Sequence, residues 1–188
     1  MRPLKCVYLF IFILYLSVRQ NAAATSKDGT CATVAGVDET CKTLAEGEDD
    51  INLDFCVSTL KSDPRSASVD MHGLAVIATR QLLAHASSTE SKIEEMMELE
   101  MDGKEKDAFG SCLDEYRDAL DKLNDALDNL NSKLYDEAIA LMEKVFDAGE
   151  ICEEAFLEVQ EGASPVASED RNYGQLAGVA LALAKSVE

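Results

Sequence analysis

Apolar residues along the chain recur at the three- and four-residue spacing of amphipathic helices. Two short stretches of this kind come first, from about Thr30 to Ala45 and over residues 51–61, with an acidic turn between them. Four longer stretches follow, over residues 68–100, 106–130, 132–159 and 168–187. No stretch alternates apolar and polar residues as a half-buried strand does. The pattern therefore predicts an all-α protein.

The four longer helices predict an antiparallel up-down four-helix bundle. Their connections include the turn sequences Asp102-Gly103 and 162–165, and short connections place consecutive helices side by side and antiparallel. The two shorter helices predict a helical hairpin ahead of the bundle. We assign residues 25–63 to the hairpin and residues 66–188 to the bundle.

The first 24 residues have the features of a secretory signal peptide. Arg2 and Lys5 form a basic start, residues 6–18 are almost uninterruptedly apolar, and Ala22-Ala23-Ala24 offers a cleavage site. The apolar run is shorter than a membrane-spanning helix requires. We therefore predict cleavage after Ala24 and secretion of residues 25–188, with no membrane segment in the mature form.

Cleavage would leave five cysteines, and secretion favours their oxidation. Cys41 and Cys56 flank the acidic turn of the predicted hairpin, while Cys112 and Cys152 lie on the apolar stripes of two long helices. We predict the disulfides Cys41–Cys56 and Cys112–Cys152. Cys31 then stays free or links two chains in a dimer, although spacing alone also permits a Cys31–Cys41 bridge.

The chain is strongly acidic, with a formal net charge of −19 at pH 7. Removal of residues 1–24 would take away three cations and lower the charge to −22. Such acidity argues against a nucleic-acid partner, keeps a secreted protein soluble, and permits attraction to a basic protein surface. The outer face of the second long helix is a solvated charged surface made of Asp114, Glu115, Arg117, Asp118, Asp121, Lys122, Asp125 and Asp128.

The chain contains no recognisable catalytic or metal-binding constellation. His72 and His85 are the only histidines, and we expect both to be structural. No Gly-x-Ser-x-Gly or Cys-x-x-Cys sequence is present. We therefore predict no cofactor and no metal, and we favour a binding protein over an enzyme.

The stretch around Pro64 connects the predicted hairpin to the bundle. Pro64 removes a backbone donor and disfavours helix at the residue before it, so the chain must turn here. After the turn, Ser66 or Ser68 can cap the next helix, and Asp70 is expected in its first turn, where a carboxylate suits the positive helix end.

The same stretch carries a family resemblance. Its motifs are Asp54-Phe55-Cys56-Val57, Asp63-Pro64-Arg65-Ser66 and Asp70-x-x-Gly73-Leu74, followed later by Cys112-x-x-x-Tyr116 and Cys152-Glu153-x-x-Phe156. From about Thr30 to Glu188 the chain resembles the plant invertase and pectin methylesterase inhibitor family, most closely its subgroup of invertase inhibitors that includes plane-tree pollen allergens. The resemblance implies a four-helix bundle with an N-terminal hairpin, and disulfides that pair the first cysteine with the second and the third with the fourth.

The resemblance also implies a function and an interface. Family members bind plant cell-wall or vacuolar enzymes one to one and block their active-site clefts. Invertase inhibitors present a Pro-Lys-Phe motif before the third bundle helix, and the matching place here is Ser132-Lys133-Leu134-Tyr135, without the proline and with the aromatic one residue later. Our leading hypothesis is a secreted inhibitor of acid invertase in the plant cell wall or vacuole; the alternatives are a pectin methylesterase inhibitor and a carrier of small apolar ligands.

Overall fold

The computed structural model describes residues 36–99, 103–157, 159 and 164–187, and every regular element within these ranges is helical. The helices are α1 (Val37–Gly47), α2 (Leu53–Ser62), α3 (Met71–Met97), α4 (Gly103–Asn131), α5 (Tyr135–Lys144), α6 (Ala148–Leu157) and α7 (Ala167–Lys185), with a 3-10 turn at Pro64–Ser68. The predicted signal peptide, Cys31 and the predicted start of the first helix lie outside the described residues. None of the described helices is long and apolar enough to cross a membrane.

The bundle has α3, α4, the α5–α6 pair and α7 as its four sides, which confirms the predicted architecture. Its centre is filled by large side chains that are almost completely buried: Leu82, Ile93, Tyr116, Leu123, Leu130, Phe156, Tyr173 and Leu183. The rings of Tyr116 and Tyr173 meet edge to face with centroids 5.3 Å apart. Such aromatic pairs add about 1 kcal/mol beyond their area burial.

The predicted disulfides are both present. Cys41 of α1 is bonded to Cys56 of α2, with 5.8 Å between their Cα atoms, and this bridge closes the hairpin. Cys112 of α4 is bonded to Cys152 of α6, with 4.5 Å between Cα atoms, inside the core. Since Cys41 is taken by Cys56, the alternative Cys31–Cys41 bridge is absent.

The prediction of one helix over residues 132–159 is wrong. A turn at residues 145–147 divides this stretch into α5 and α6. The Val145 carbonyl accepts a hydrogen bond from the hydroxyl of Tyr173 (2.7 Å) and a long one from the Ala148 amide (3.4 Å). The break lets α6 approach α7 closely at Gly149. A Cβ atom added there would lie 2.5 Å from the backbone oxygen of Asp170, so only glycine fits without a shift of one helix.

Candidate functional site

The Pro64 stretch, which carries much of the family resemblance, is a structural joint. The Asp63 side chain accepts a hydrogen bond from the Arg65 amide (2.9 Å) and also pairs with the Arg65 guanidinium (Nε–Oδ1 2.9 Å). The hydrogen bonds from Arg65 lower the pKa of Asp63 to about 2. Asp63 thereby ends α2 with its backbone amide, which donates to the Leu60 carbonyl, and caps the following 3-10 turn with its carboxylate.

The start of α3 differs from the prediction in its capping residue. Asp70 itself is the N-cap, and its side chain accepts a hydrogen bond from the Gly73 amide (2.9 Å). Ser66, one of the two predicted caps, is instead buried within the 3-10 turn. Gly73 is required by a close approach, since a Cβ atom there would lie 2.5 Å from the Cβ of Val69. The motif therefore shapes the joint between hairpin and bundle.

The predicted interface, Ser132 to Tyr135, forms the turn between α4 and α5. The Leu134 amide donates to the Asn129 carbonyl and the Lys133 amide donates to the Leu130 carbonyl, both at 2.9 Å. These two bonds define a Schellman helix end, in which the residue after the C-cap has a left-handed backbone. That residue is Lys133, with φ of 59°, the one non-glycine residue of the described chain with positive φ. Such a backbone costs an L-amino acid roughly 1 kcal/mol.

Lys133 is an exposed cation in a strongly acidic protein. It forms no ion pair with any described residue, whereas cations such as Lys61, Lys92 and Arg117 are paired with carboxylates. An unpaired ammonium group keeps its full capacity to bind acceptors on another molecule, with three donors on a flexible stem. The turn thus presents a free positive charge at one end of the bundle.

The two residues that follow have opposite environments. Leu134 is 46% exposed and stands beside Lys133 as an apolar side chain in solvent. Tyr135 is half-buried and packs on the core. Its hydroxyl lies 3.3 Å from Nδ1 of His72, at the start of α3, and the two rings meet edge to face. Tyr135 is therefore an anchor for the turn, and Lys133 and Leu134 are its outward-facing groups.

A second exposed surface is the acidic outer face of α4. Six of its eight predicted members are exposed, and Glu115 and Lys122 are partly buried. Lys122 pairs with Asp118, and Arg117 binds Glu90 and Glu94 of α3. The remaining carboxylates make this face a negative surface suited to a basic partner.

Sequence reasoning missed a buried polar cluster at the start of α7. Tyr116 donates a hydrogen bond to Oδ1 of Asp170 (2.8 Å), and burial raises the pKa of both groups. Tyr116 follows Cys112 by four residues and therefore shares its apolar stripe, but Asp170 stands among the polar residues of a helix start, where a carboxylate is normally exposed. Nothing in the local sequence distinguishes it from the acidic surface residues.

The described residues offer little else for ligand chemistry. They contain no group of three or more histidine, cysteine or acidic side chains that could hold a metal ion. One groove of about 120 Å³ has Glu48, Asp50 and Lys185 in its wall, and another of about 360 Å³ lies between α4 and α6. Both open to solvent and have charged walls, unlike the enclosed apolar cavity of a ligand carrier.

Comparison with known proteins identifies the family. The family model described as plant invertase/pectin methylesterase inhibitor matches residues 35–183. A Platanus acerifolia protein named as an invertase inhibitor is 31% identical over 180 residues, covering 96% of this chain and 94% of that protein. An Arabidopsis thaliana protein named cell wall / vacuolar inhibitor of fructosidase 2 is 29% identical over 159 residues, covering 84% of this chain and 83% of that protein.

Solved structures agree on the fold. The crystal structure of a mutant form of a pectin methylesterase inhibitor from Arabidopsis superposes with a TM-score of 0.66 at 24% identity, covering 76% of this chain and 95% of that one. At this identity the likeness concerns the fold alone. Taken with the family match over residues 35–183, these findings show that the chain belongs to the plant invertase/pectin methylesterase inhibitor family, whose members are inhibitors of enzymes and not enzymes themselves.

Proposed function

We propose that the chain is a secreted inhibitor of plant acid invertase, which binds the enzyme one to one and blocks its active-site cleft with the turn at 132–135. The observation that carries this proposal is Lys133, an exposed cation that forms no ion pair within the described part of the chain and is held with a left-handed backbone. Backbone strain of this kind persists where the surrounding structure enforces it, and it concentrates at functional sites. Relatives named as invertase inhibitors support the choice of target.

The turn is suited to a hydrolase cleft by its shape and charge. A narrow helix-to-helix turn projects from the end of a rigid bundle, so it can enter a concave site without rearrangement. Lys133 would approach carboxylates in the cleft, and Leu134 would contribute apolar contact beside it. The hydrogen bond and ring contact between Tyr135 and His72 would hold the turn in the binding geometry.

The direct test is a titration of the oxidised, secreted protein against a plant acid invertase and a plant pectin methylesterase at mildly acidic pH. We expect loss of invertase activity with a one-to-one end point. Inhibition of the esterase alone would contradict the invertase proposal. Inhibition of neither enzyme would contradict both assignments and leave the family fold without either activity.

Lys133→Ala is expected to raise the inhibition constant for invertase at least tenfold, because truncating a central charged contact costs about 2 kcal/mol of binding. A left-handed backbone destabilises lysine and alanine equally at position 133, so the midpoint of urea unfolding should stay the same. Lys133→Arg keeps the charge and should retain most of the inhibition. Unchanged inhibition by the alanine variant would place the interface elsewhere on the bundle.

Lys133→Gly separates backbone strain from charge. Glycine adopts positive φ without a steric penalty, so this variant should be more stable than the natural protein by about 1 kcal/mol in urea unfolding. It should inhibit invertase as poorly as Lys133→Ala. A glycine variant that is both more stable and fully inhibitory would show that the ammonium group has no role.

Pectin methylesterase is the second candidate target, and the acidic face of α4 is the observation that favours it. A basic enzyme would be drawn to this face, and the attraction would act mainly on the association rate. Asp121→Asn combined with Asp125→Asn should then slow association with the esterase and flatten its salt dependence. The same double variant should leave inhibition of invertase by the turn unaffected.

A further inference from the structure

Asp170 lies in the first turn of α7, and its side chain is buried in the bundle. Only 3% of the residue is exposed. Oδ1 accepts the hydrogen bond from Tyr116 (2.8 Å), whereas Oδ2 has no hydrogen-bond partner among the described residues. Burying a carboxylate oxygen without a partner is costly, so the neutral acid is the form that this site favours.

Among the described residues, no cation compensates the charge of Asp170. The titratable and charged groups around it are Tyr116 of α4, Glu153 of α6, Glu169, Arg171 and Tyr173 of α7, and His85 and Lys92 of α3. Both α3 groups bind Glu169 instead: Nζ of Lys92 is 2.6 Å from its carboxylate, and Nε2 of His85 is 2.9 Å from its carbonyl. Arg171 is exposed and forms no ion pair with a described residue.

These surroundings shift the titration of Asp170 into the range between mildly acidic and neutral solution. Burial is the main cause, and the charges of Glu153 and Glu169 act in the same direction, while the hydrogen bond from Tyr116 and a weaker interaction with the Ser164 hydroxyl oppose them. Together they raise the pKa of Asp170 to about 7.

The same residue forms the contact between two helices. The Asp170 backbone packs against Gly149 at the start of α6, so closely that no Cβ atom would fit there. Its amide donates to the Val166 carbonyl (2.9 Å), which joins the segment before α7 to its first turn. Hydrating an ionised Asp170 therefore requires α6 and α7 to separate at this point.

We propose that Asp170 is a proton-binding site in the bundle core, which fastens α6 to α7 when the carboxyl is neutral and loosens that contact when the proton leaves. In the unfolded chain the same group titrates near 4. At a pH between the pKa of the folded protein and that of the unfolded chain, the folded protein holds a proton that the unfolded chain has released. Rising pH therefore favours unfolding. This site is independent of which enzyme the chain inhibits.

The experiment is urea unfolding of the oxidised, secreted protein at pH 5.5 and pH 7.5, compared with Asp170→Asn. Asparagine keeps the acceptor for Tyr116 and mimics the neutral acid. Relative to this variant, the unfolding constant of the natural protein should rise on the order of twentyfold between the two pH values.

The matched control is Asp114→Asn, which removes the same charge from an exposed position on α4. Its unfolding constant should change with pH as that of the natural protein does. Asp114→Asn and Asp170→Asn alter the overall charge repulsion equally, so a difference between them reports the buried site. If Asp170→Asn and the natural protein respond alike to pH, the proposal is overturned.

A measurement on the natural protein keeps the test independent of whether the variant folds. Carbon NMR of the Asp170 carboxyl should give a titration midpoint near neutrality, and a midpoint near 4 would overturn the proposal. Hydrogen exchange of the first α6 amides, corrected for intrinsic rates, should accelerate between pH 5.5 and 7.5. Equal protection at both pH values would show that the α6–α7 contact does not depend on the proton.

Discussion

Replacing the core cysteine pair, Cys112 and Cys152, with alanine should lower the free energy of unfolding by roughly 4 kcal/mol. The bridge closes a loop with a sequence separation of 40 residues, and the chain-entropy relation gives that value for a loop of this length. Both cysteines are fully buried, and the bond ties α4 to α6 in the middle of the core. The loss should therefore destabilise the whole bundle.

The hairpin bridge provides the matched comparison. Cys41 and Cys56 enclose a sequence separation of 15, for which the same relation gives roughly 3 kcal/mol. Because α1 contacts α2 more than it contacts the bundle, removal of this bridge should loosen the hairpin first.

Two probes distinguish these outcomes. Far-ultraviolet circular dichroism follows all helices. Because the chain has no tryptophan, tyrosine fluorescence follows the buried Tyr116 and Tyr173 and the half-buried Tyr135, all of which belong to the bundle. Without the core bridge, both probes should shift together to lower urea. Without the hairpin bridge, the dichroism should begin to fall before the fluorescence changes. Identical curves for the two variants would contradict this assignment of roles.

Replacing Gly149 with alanine should lower the free energy of unfolding by about 3 kcal/mol, because overpacking against backbone forces helices apart. The added Cβ atom would lie 2.5 Å from the Asp170 oxygen and 3.0 Å from two further backbone atoms. Backbone atoms in a helix cannot turn aside as a flexible side chain can. The start of α6 must therefore move away from α7.

Gly174→Ala is the control for Gly149→Ala. Gly174 lies within α7, and a Cβ atom there would have no neighbour within 4 Å. Its replacement should stabilise the helix by about 1 kcal/mol through helix propensity alone. Urea unfolding should thus shift in opposite directions for the two variants. A stabilised Gly149→Ala protein would mean that α6 and α7 are not in close contact.

The helices could be predicted because their signal is local. The apolar period places α2, α3, α4 and α7 within a few residues of their observed bounds, and cysteines on facing stripes lead to the correct bridges. Periodicity could not reveal the break at Val145, because the apolar stripe continues through it. At the break the Val145 carbonyl accepts a hydrogen bond from the hydroxyl of Tyr173, which belongs to α7.

The candidate site was located by a motif, and its geometry came from packing. The resemblance pointed to Ser132–Tyr135, but the left-handed backbone of Lys133 follows from how α4 must end before α5 can begin. The inward position of Tyr135 follows from its contact with His72, which is distant along the chain. The contact between Tyr135 and His72 leaves no trace in the local sequence.

The sequence by itself determined that this chain is helical, acidic, held by two disulfides and related to a family of plant enzyme inhibitors. The spacing of apolar residues and the motifs are local features of the sequence, and the net charge is a sum over its residues, so none of them requires the tertiary structure. Only the tertiary structure decided that Gly149 must be glycine, that Tyr135 lies inward against His72, and that Asp170 is buried among acids. Each of these depends on two segments meeting in space, and burial changes the chemistry of a residue that the sequence shows only as one carboxylate among many.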